Sequence, residues 1–136
     1  MNKILLAVLL AGFGTQLVKL IIYWFKHKSL SWHDIFVTGG MPSSHSAFVV
    51  SLATIIYLIE GTSTAFAISL VFAFVIMRDA YGVRRSVGME GKAIEKLFKI
   101  NHLKSKFHYS MGHTPLQVLV GAIVGLVIAV GVYYIL

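Results

Sequence analysis

Four long apolar runs, at positions 4–25, 43–59, 64–77 with a continuation to 83, and 115–136, set the terms on which this chain can fold. The first and last are as long as the roughly 20 residues a helix needs to cross a bilayer. The middle two are shorter and separated only by residues 60–63, so they read as a tight helical hairpin. With 57% of 136 residues apolar, only 12% charged and a mean hydropathy of +0.82, the composition argues against a water-soluble fold. The charges cluster between the runs, whereas a soluble amphipathic helix would carry them along its exposed face. The expected fold is therefore all-α, an integral membrane bundle of about four transmembrane helices in a single domain over residues 1–136. The first run follows Lys3 as a signal peptide would, but its length, the internal Lys19 and the want of a small-residue cleavage site mark it as a retained helix.

The chain has no cysteine, which excludes disulfides and thiolate metal sites. Its net charge of +7 points, in so apolar a chain, to anionic phospholipid headgroups and not to nucleic acid. Lys26 and Lys28 fall in the first connection, no cation falls in the hairpin turn, and Arg84, Arg85, Lys92, Lys96, Lys99, Lys104 and Lys106 fall in the last. The positive-inside rule then puts both long connections in the cytoplasm and both chain ends outside, with Lys3 the one cation to the contrary. That topology gathers Lys19, His45, residues 78–85 and His113 at one membrane face. The lysines from 92 to 106 show no fixed spacing, and the segment reads as a solvated loop touching lipid headgroups.

The most specific string is Gly39-Gly40-Met41-Pro42-Ser43-Ser44-His45-Ser46-Ala47. Its glycines permit a sharp turn, and Pro42, Ser43 and Ser44 suit a helix start, where unpaired amides and the helix dipole attract anions. His45 would stand in the first turn beside a bound phosphate; a plain N-cap with an interfacial histidine fits the same residues. Gly112-His113-Thr114-Pro115-Leu116-Gln117 repeats the design, with Thr114 as N-cap and Pro115 in the first helical position. Two such histidines on one side supply a nucleophile for phosphorus and an acid for the leaving oxygen. No carboxylate or third histidine stands at helical spacing beside them, so neither a metal nor another cofactor is expected.

Arg78-Asp79-Ala80-Tyr81-Gly82-Val83-Arg84-Arg85 is the third string. Guanidinium forks match phosphate oxygens, although a stop-transfer anchor also explains the arginines. Asp79 is expected to pair with Arg78 or Arg85, because a lone carboxylate at that depth is costly. Lys19 either snorkels to the interface or joins Lys26, about two turns on, along one face toward the anion. Gly121 and Gly125 give a spacing that allows close helix approach.

Pro42-Ser43-Ser44-His45 resembles the Pro-Ser-Gly-His motif of the type 2 phosphatidic acid phosphatase superfamily, which includes the vanadium haloperoxidases. The strings 39–47 and 79–85 resemble its small divergent bacterial and plastid branch, and the likeness covers nearly the whole chain. Lys19 matches the lysine of the first motif, Lys26 stands where its arginine would be, and His113 matches the histidine of the third motif. Phe107 occupies the third motif's arginine position, so Lys106 or, better, Arg84 or Arg85 would replace that cation. Gln117 occupies the position of the orienting aspartate; it can accept from an imidazole N–H but cannot stabilise an imidazolium as a carboxylate does. Asp79 is the candidate to compensate.

The resemblance implies a metal-independent phosphatase with His113 as nucleophile, His45 as acid, and Asp79 and Gln117 in support. Lys19, Lys26, Ser43, Ser44, Arg84 and Arg85 would hold the phosphate. The implied substrate is a membrane phospholipid or polyprenyl phosphate reached from the cytoplasmic face of a bacterial cytoplasmic membrane. Family members usually have six core helices, so four implies either a minimal site or a homo-oligomer in which a second copy completes it. A non-catalytic phospholipid-binding or lipid-moving protein that keeps the phosphate cradle is the alternative.

Overall fold

Each apolar run forms a helix whose ends are set by local side chains. The computed structural model describes residues 2–28, 41–104 and 111–136. Gly39, Gly40, Lys106 and Phe107, which entered the motif reading, lie outside the described residues. Helix α1, Lys3–His27, begins at Asn2, whose side chain accepts from the amides of Ile4 and Leu5. Helix α2, Ser44–Glu60, begins at Ser43 and stops at Gly61, whose φ of 68° is strained for any residue with a Cβ. Ser63 then starts α3, Thr64–Tyr81, accepting from the Phe66 amide at 3.1 Å and donating to the Glu60 carboxylate at 2.8 Å. Residues 61–63 thus make the tight hairpin turn. The last apolar helix, Pro115–Ile135, opens on a capping box between Thr114 and Gln117.

The segment after α3 is not the expected loop. It continues as a further helix, α4, Val83–Ile100, so the last apolar helix is α5. Val83, Val87, Ile94 and Phe98 recur on one side of it, and Lys92, Lys96 and Lys99 on the other, so the lysines do have a spacing and it is helical. Gly82, with φ −97° and ψ −94°, separates α3 from α4 and departs from helical geometry at the join.

The four apolar helices form an all-α membrane bundle, and α2 is its centre, packed on α5, α1 and α3. Three helices, α1, α3 and α5, have the length and apolarity to cross a bilayer, whereas α2 is a shorter apolar helix of 17 residues enclosed by the others. Lys3 ties the two chain ends together, its ammonium donating to the Tyr133 carbonyl at 3.4 Å. Lipid tails are as apolar as leucine, so close packing holds these helices together, and the residues that meet are small. Ala7, Ala11 and Thr15 on α1 are buried, as are Gly121, Gly125 and Ala129 on α5, each series repeating every fourth residue. A methyl group at Gly121 would overlap the carbonyl of Ser43, and one at Gly125 would overlap that of Ala47.

Hydroxyls inside the bundle bond to their own helix, as a medium without water demands. Thr15 donates to the carbonyls of Ala11 at 2.6 Å and Gly12 at 2.9 Å, Ser51 to that of Phe48 at 2.9 Å, and Ser69 to that of Phe66 at 2.8 Å. Large apolar side chains such as Phe13, Leu17, Ile68, Phe74 and Leu119 are left exposed on the outside, where lipid replaces water.

Candidate active site

The close approach at Gly121 decides where the histidines go. Because no side chain intervenes, the Ser43 amide donates to the Gln117 carbonyl at 3.2 Å, and the starts of α2 and α5 lie side by side. The residues just before α5 are held from another side, since the His113 amide donates to the Ala80 carbonyl near the end of α3 at 2.9 Å. Gly112 packs against the backbone of Arg84 and Arg85, so close that a Cβ would collide with it. The N-termini of α2, α4 and α5 therefore converge, each contributing partial positive charge and first-turn amides without intrahelical acceptors. Sequence reasoning supplied two of these three helix starts; the α4 start was missed with the helix itself.

The imidazoles of His45 and His113 face one another within this convergence, ring centres 6.4 Å apart and planes inclined by 58°. One phosphoryl group can touch both rings at that separation. Their surroundings differ. His113, immediately before the N-cap of α5, is 2% exposed, whereas His45, in the first turn of α2, opens onto a groove. The charged groups acting on His45 are Arg84, Lys19 and Asp79, from three helices.

Asp79 pairs with Arg84 at 2.9 Å, and neither Arg78 nor Arg85 is its partner in that bond. Five residues apart, Asp79 and Arg84 would point well away from each other on an unbroken helix. The irregular backbone at Gly82 is what turns the guanidinium back. Arg78 lies over the ring of Tyr81, 5.2 Å from its centre, and borders a second groove, between α3 and α5, which Asp79 also lines. Arg85 is half-buried beside Gly112, so Arg84 is the arginine that lines the groove at His45.

Ser43, expected at the phosphate, and Gln117, expected in support of the histidines, both cap helix starts. Ser43 is fully buried; its hydroxyl accepts from the Ser46 amide at 3.4 Å and from the Ser46 hydroxyl at 3.0 Å. The side-chain oxygen of Gln117 accepts from the Thr114 amide at 3.0 Å, while Thr114 accepts from the Gln117 amide at 3.3 Å. Gln117 thus closes a capping box, a use for glutamine at N3 that the Thr-Pro-Leu-Gln string announces by itself. Ser44 is half-buried and does line the groove with His45. Lys26 is exposed and lies about 10 Å beyond Lys19 along α1.

Two adjoining cavities share His45, Phe72 and Ile76. One, of about 250 Å³, reaches Asp79, Ala80 and Arg84; the other, of about 400 Å³, runs between α1, α2 and α3 past Gly12, Phe13, Gln16 and Phe48. Together they make a groove that is charged at one end and apolar along the rest. Gln16 and the aromatic lining were not foreseen from sequence. Their signal was a second polar residue, one turn before Lys19 on the same face of an otherwise apolar span. Gly12 keeps the groove open, for a side chain there would meet the ring of Phe48.

The model of the Divergent PAP2 family matches residues 1–128. Among curated proteins, one of Bacillus subtilis (strain 168) described as "Uncharacterized membrane protein YuiD" is 35% identical over 150 residues, spanning 98% of this chain and 95% of that protein. No solved structure matches the chain.

Proposed function

Because the chain belongs to the Divergent PAP2 family, we propose that it is a membrane lipid phosphatase that removes a phosphomonoester through a phosphohistidine on His113. The observation that carries this reading is the 6.4 Å pairing of the buried His113 with His45, which lines an apolar groove at its charged end. A nitrogen of the buried His113 ring attacks phosphorus, and the bond from phosphorus to the lipid oxygen breaks as His45 protonates that oxygen. His45, now neutral, takes a proton from water as the water attacks the phosphohistidine; the phosphorus–nitrogen bond breaks and inorganic phosphate leaves. Arg84 and Lys19, with the converging helix starts, stabilise the negative charge on the transferring group. Asp79 fixes the Arg84 fork by its ion pair, a positioning role.

The apolar part of the groove favours a lipid phosphate over a water-soluble one, of the phosphatidate, phosphatidylglycerophosphate or polyprenyl phosphate class. The count of basic residues favours the cytoplasmic face for the site, and the relative from Bacillus subtilis favours a bacterial cytoplasmic membrane. Purified protein incubated with each of these lipids and with glycerol phosphate tests the reading. Phosphate release from at least one lipid, lost on addition of vanadate and absent with glycerol phosphate, is the expected result. One observation favours a second reading, a lipid-phosphate binder without turnover: Gln117, where the related superfamily carries its orienting aspartate, is engaged in capping α5. Tight retention of a lipid phosphate with no phosphate released would select that reading.

A further inference from the structure

Helices α3 and α4 together cover 37 residues, Thr64–Ile100. As a straight rod they would measure about 55 Å, against about 30 Å for the hydrocarbon of a bilayer. One helix crosses and the other must lie beyond the core, and the composition says which: α3 is apolar as far as Met77 and carries Arg78 and Asp79 only near its end, whereas α4 is divided lengthwise. Val83, Val87, Ile94, Leu97 and Phe98 occupy one sector of α4, which Glu90 shares, and Arg85, Lys92, Lys96 and Lys99 the opposite one. Five cations against two acids, Glu90 and Glu95, leave the helix a net charge of +3. Glu95 is paired with Lys99 at 2.7 Å.

The apolar sector is not covered by the bundle: Val83 is 64% exposed, Val87 51% and Leu97 58%. Among the described helices α4 packs chiefly on α3. Such a stripe is unfavourable in water and misplaced at the bilayer centre, where the opposite face would bring four cations into hydrocarbon. It fits the interface, apolar side chains at the acyl boundary and lysines reaching to headgroups.

We propose that α4 lies along the surface of the leaflet that holds His45 and His113 and binds anionic phospholipid there. The positive face selects that partner, since each lysine near a negative surface adds attraction that a zwitterionic surface does not supply. This docking rests on α4 alone and is independent of whether the site turns over. Arg84 and Arg85 stand in the first turn of α4, so the bound leaflet also fixes the end of the helix that borders the histidines.

The chain is free of cysteine, so single substitutions at exposed positions report on α4 without a background. Spin labels are placed at Ile94→Cys and Leu97→Cys, and separately at Lys92→Cys and Lys96→Cys. The full chain is reconstituted in vesicles of equal parts phosphatidylcholine and phosphatidylglycerol. The first pair is expected to collide with dissolved oxygen several-fold more than with a water-soluble nickel chelate, and the second pair to show the reverse. That contrast is expected to fall several-fold in vesicles of phosphatidylcholine alone. Equal access of the nickel chelate to both faces overturns the proposal, as does a contrast that needs no anionic lipid. Spin–spin broadening at position 94 also overturns it, by assigning the apolar face to a second copy of the chain.

Discussion

In the proposed reaction, burial gives His113 and His45 their different parts. An imidazole held almost wholly out of contact with solvent keeps water from competing for phosphorus, while one that opens onto the groove can exchange a proton with the leaving oxygen and then with water. His113→Ala is therefore expected to abolish phosphate release. Arg84→Lys, which keeps the charge but loses the two-point fork and the geometry of the 2.9 Å bond to Asp79, is expected to lower kcat roughly 10²-fold, read in the same phosphate-release assay. Gln117→Ala separates capping from chemistry. Loss of the capping box should cost about 1 kcal/mol of stability, seen as a lower Tm in detergent, with turnover changed only a few-fold.

Elements position these residues through glycine contacts that tolerate no added atom. Gly125→Leu would force α5 away from the Ala47 carbonyl and separate the two helix starts. Overpacking of that kind costs about 1–3 kcal/mol or more, so loss of the folded monodisperse species in size-exclusion chromatography is the expected outcome. The helices themselves were legible from their apolar runs, and the two histidine-bearing starts from the proline, serine and threonine beside them, because those signals are local. What was not legible depends on the course of the backbone. The partner of Asp79 turned out to be Arg84 because Gly82 leaves helical geometry, a departure that the residue type permits but does not prescribe. Ser43 and Gln117 have hydroxyl and amide groups that suit a phosphate or a cap equally, and only the burial and hydrogen bonds decide. Helix α4 was hidden by its polarity: averaged over its length it looks like a loop, and only its period separates lysines from valines.

For the whole molecule, the bundle places both chain ends at one side and the histidine pair at the other, and the proposed cytoplasmic face of the site rests on the basic residues. With Thr62→Cys in the hairpin turn and Lys99→Cys on α4, an impermeant maleimide added to intact cells is expected to label the first and spare the second until the membrane is opened. The opposite pattern would put the site on the outer face. The central claim concerns the chemistry that this architecture brings together, and a covalent intermediate tests it most directly. Protein mixed briefly with a lipid phosphate carrying labelled phosphorus, then quenched in alkaline denaturant where a phosphoramidate survives, should carry label on the peptide containing His113 and none after His113→Ala. Phosphate release from the lipid with an unlabelled protein, or undiminished release by the alanine variant, would contradict it.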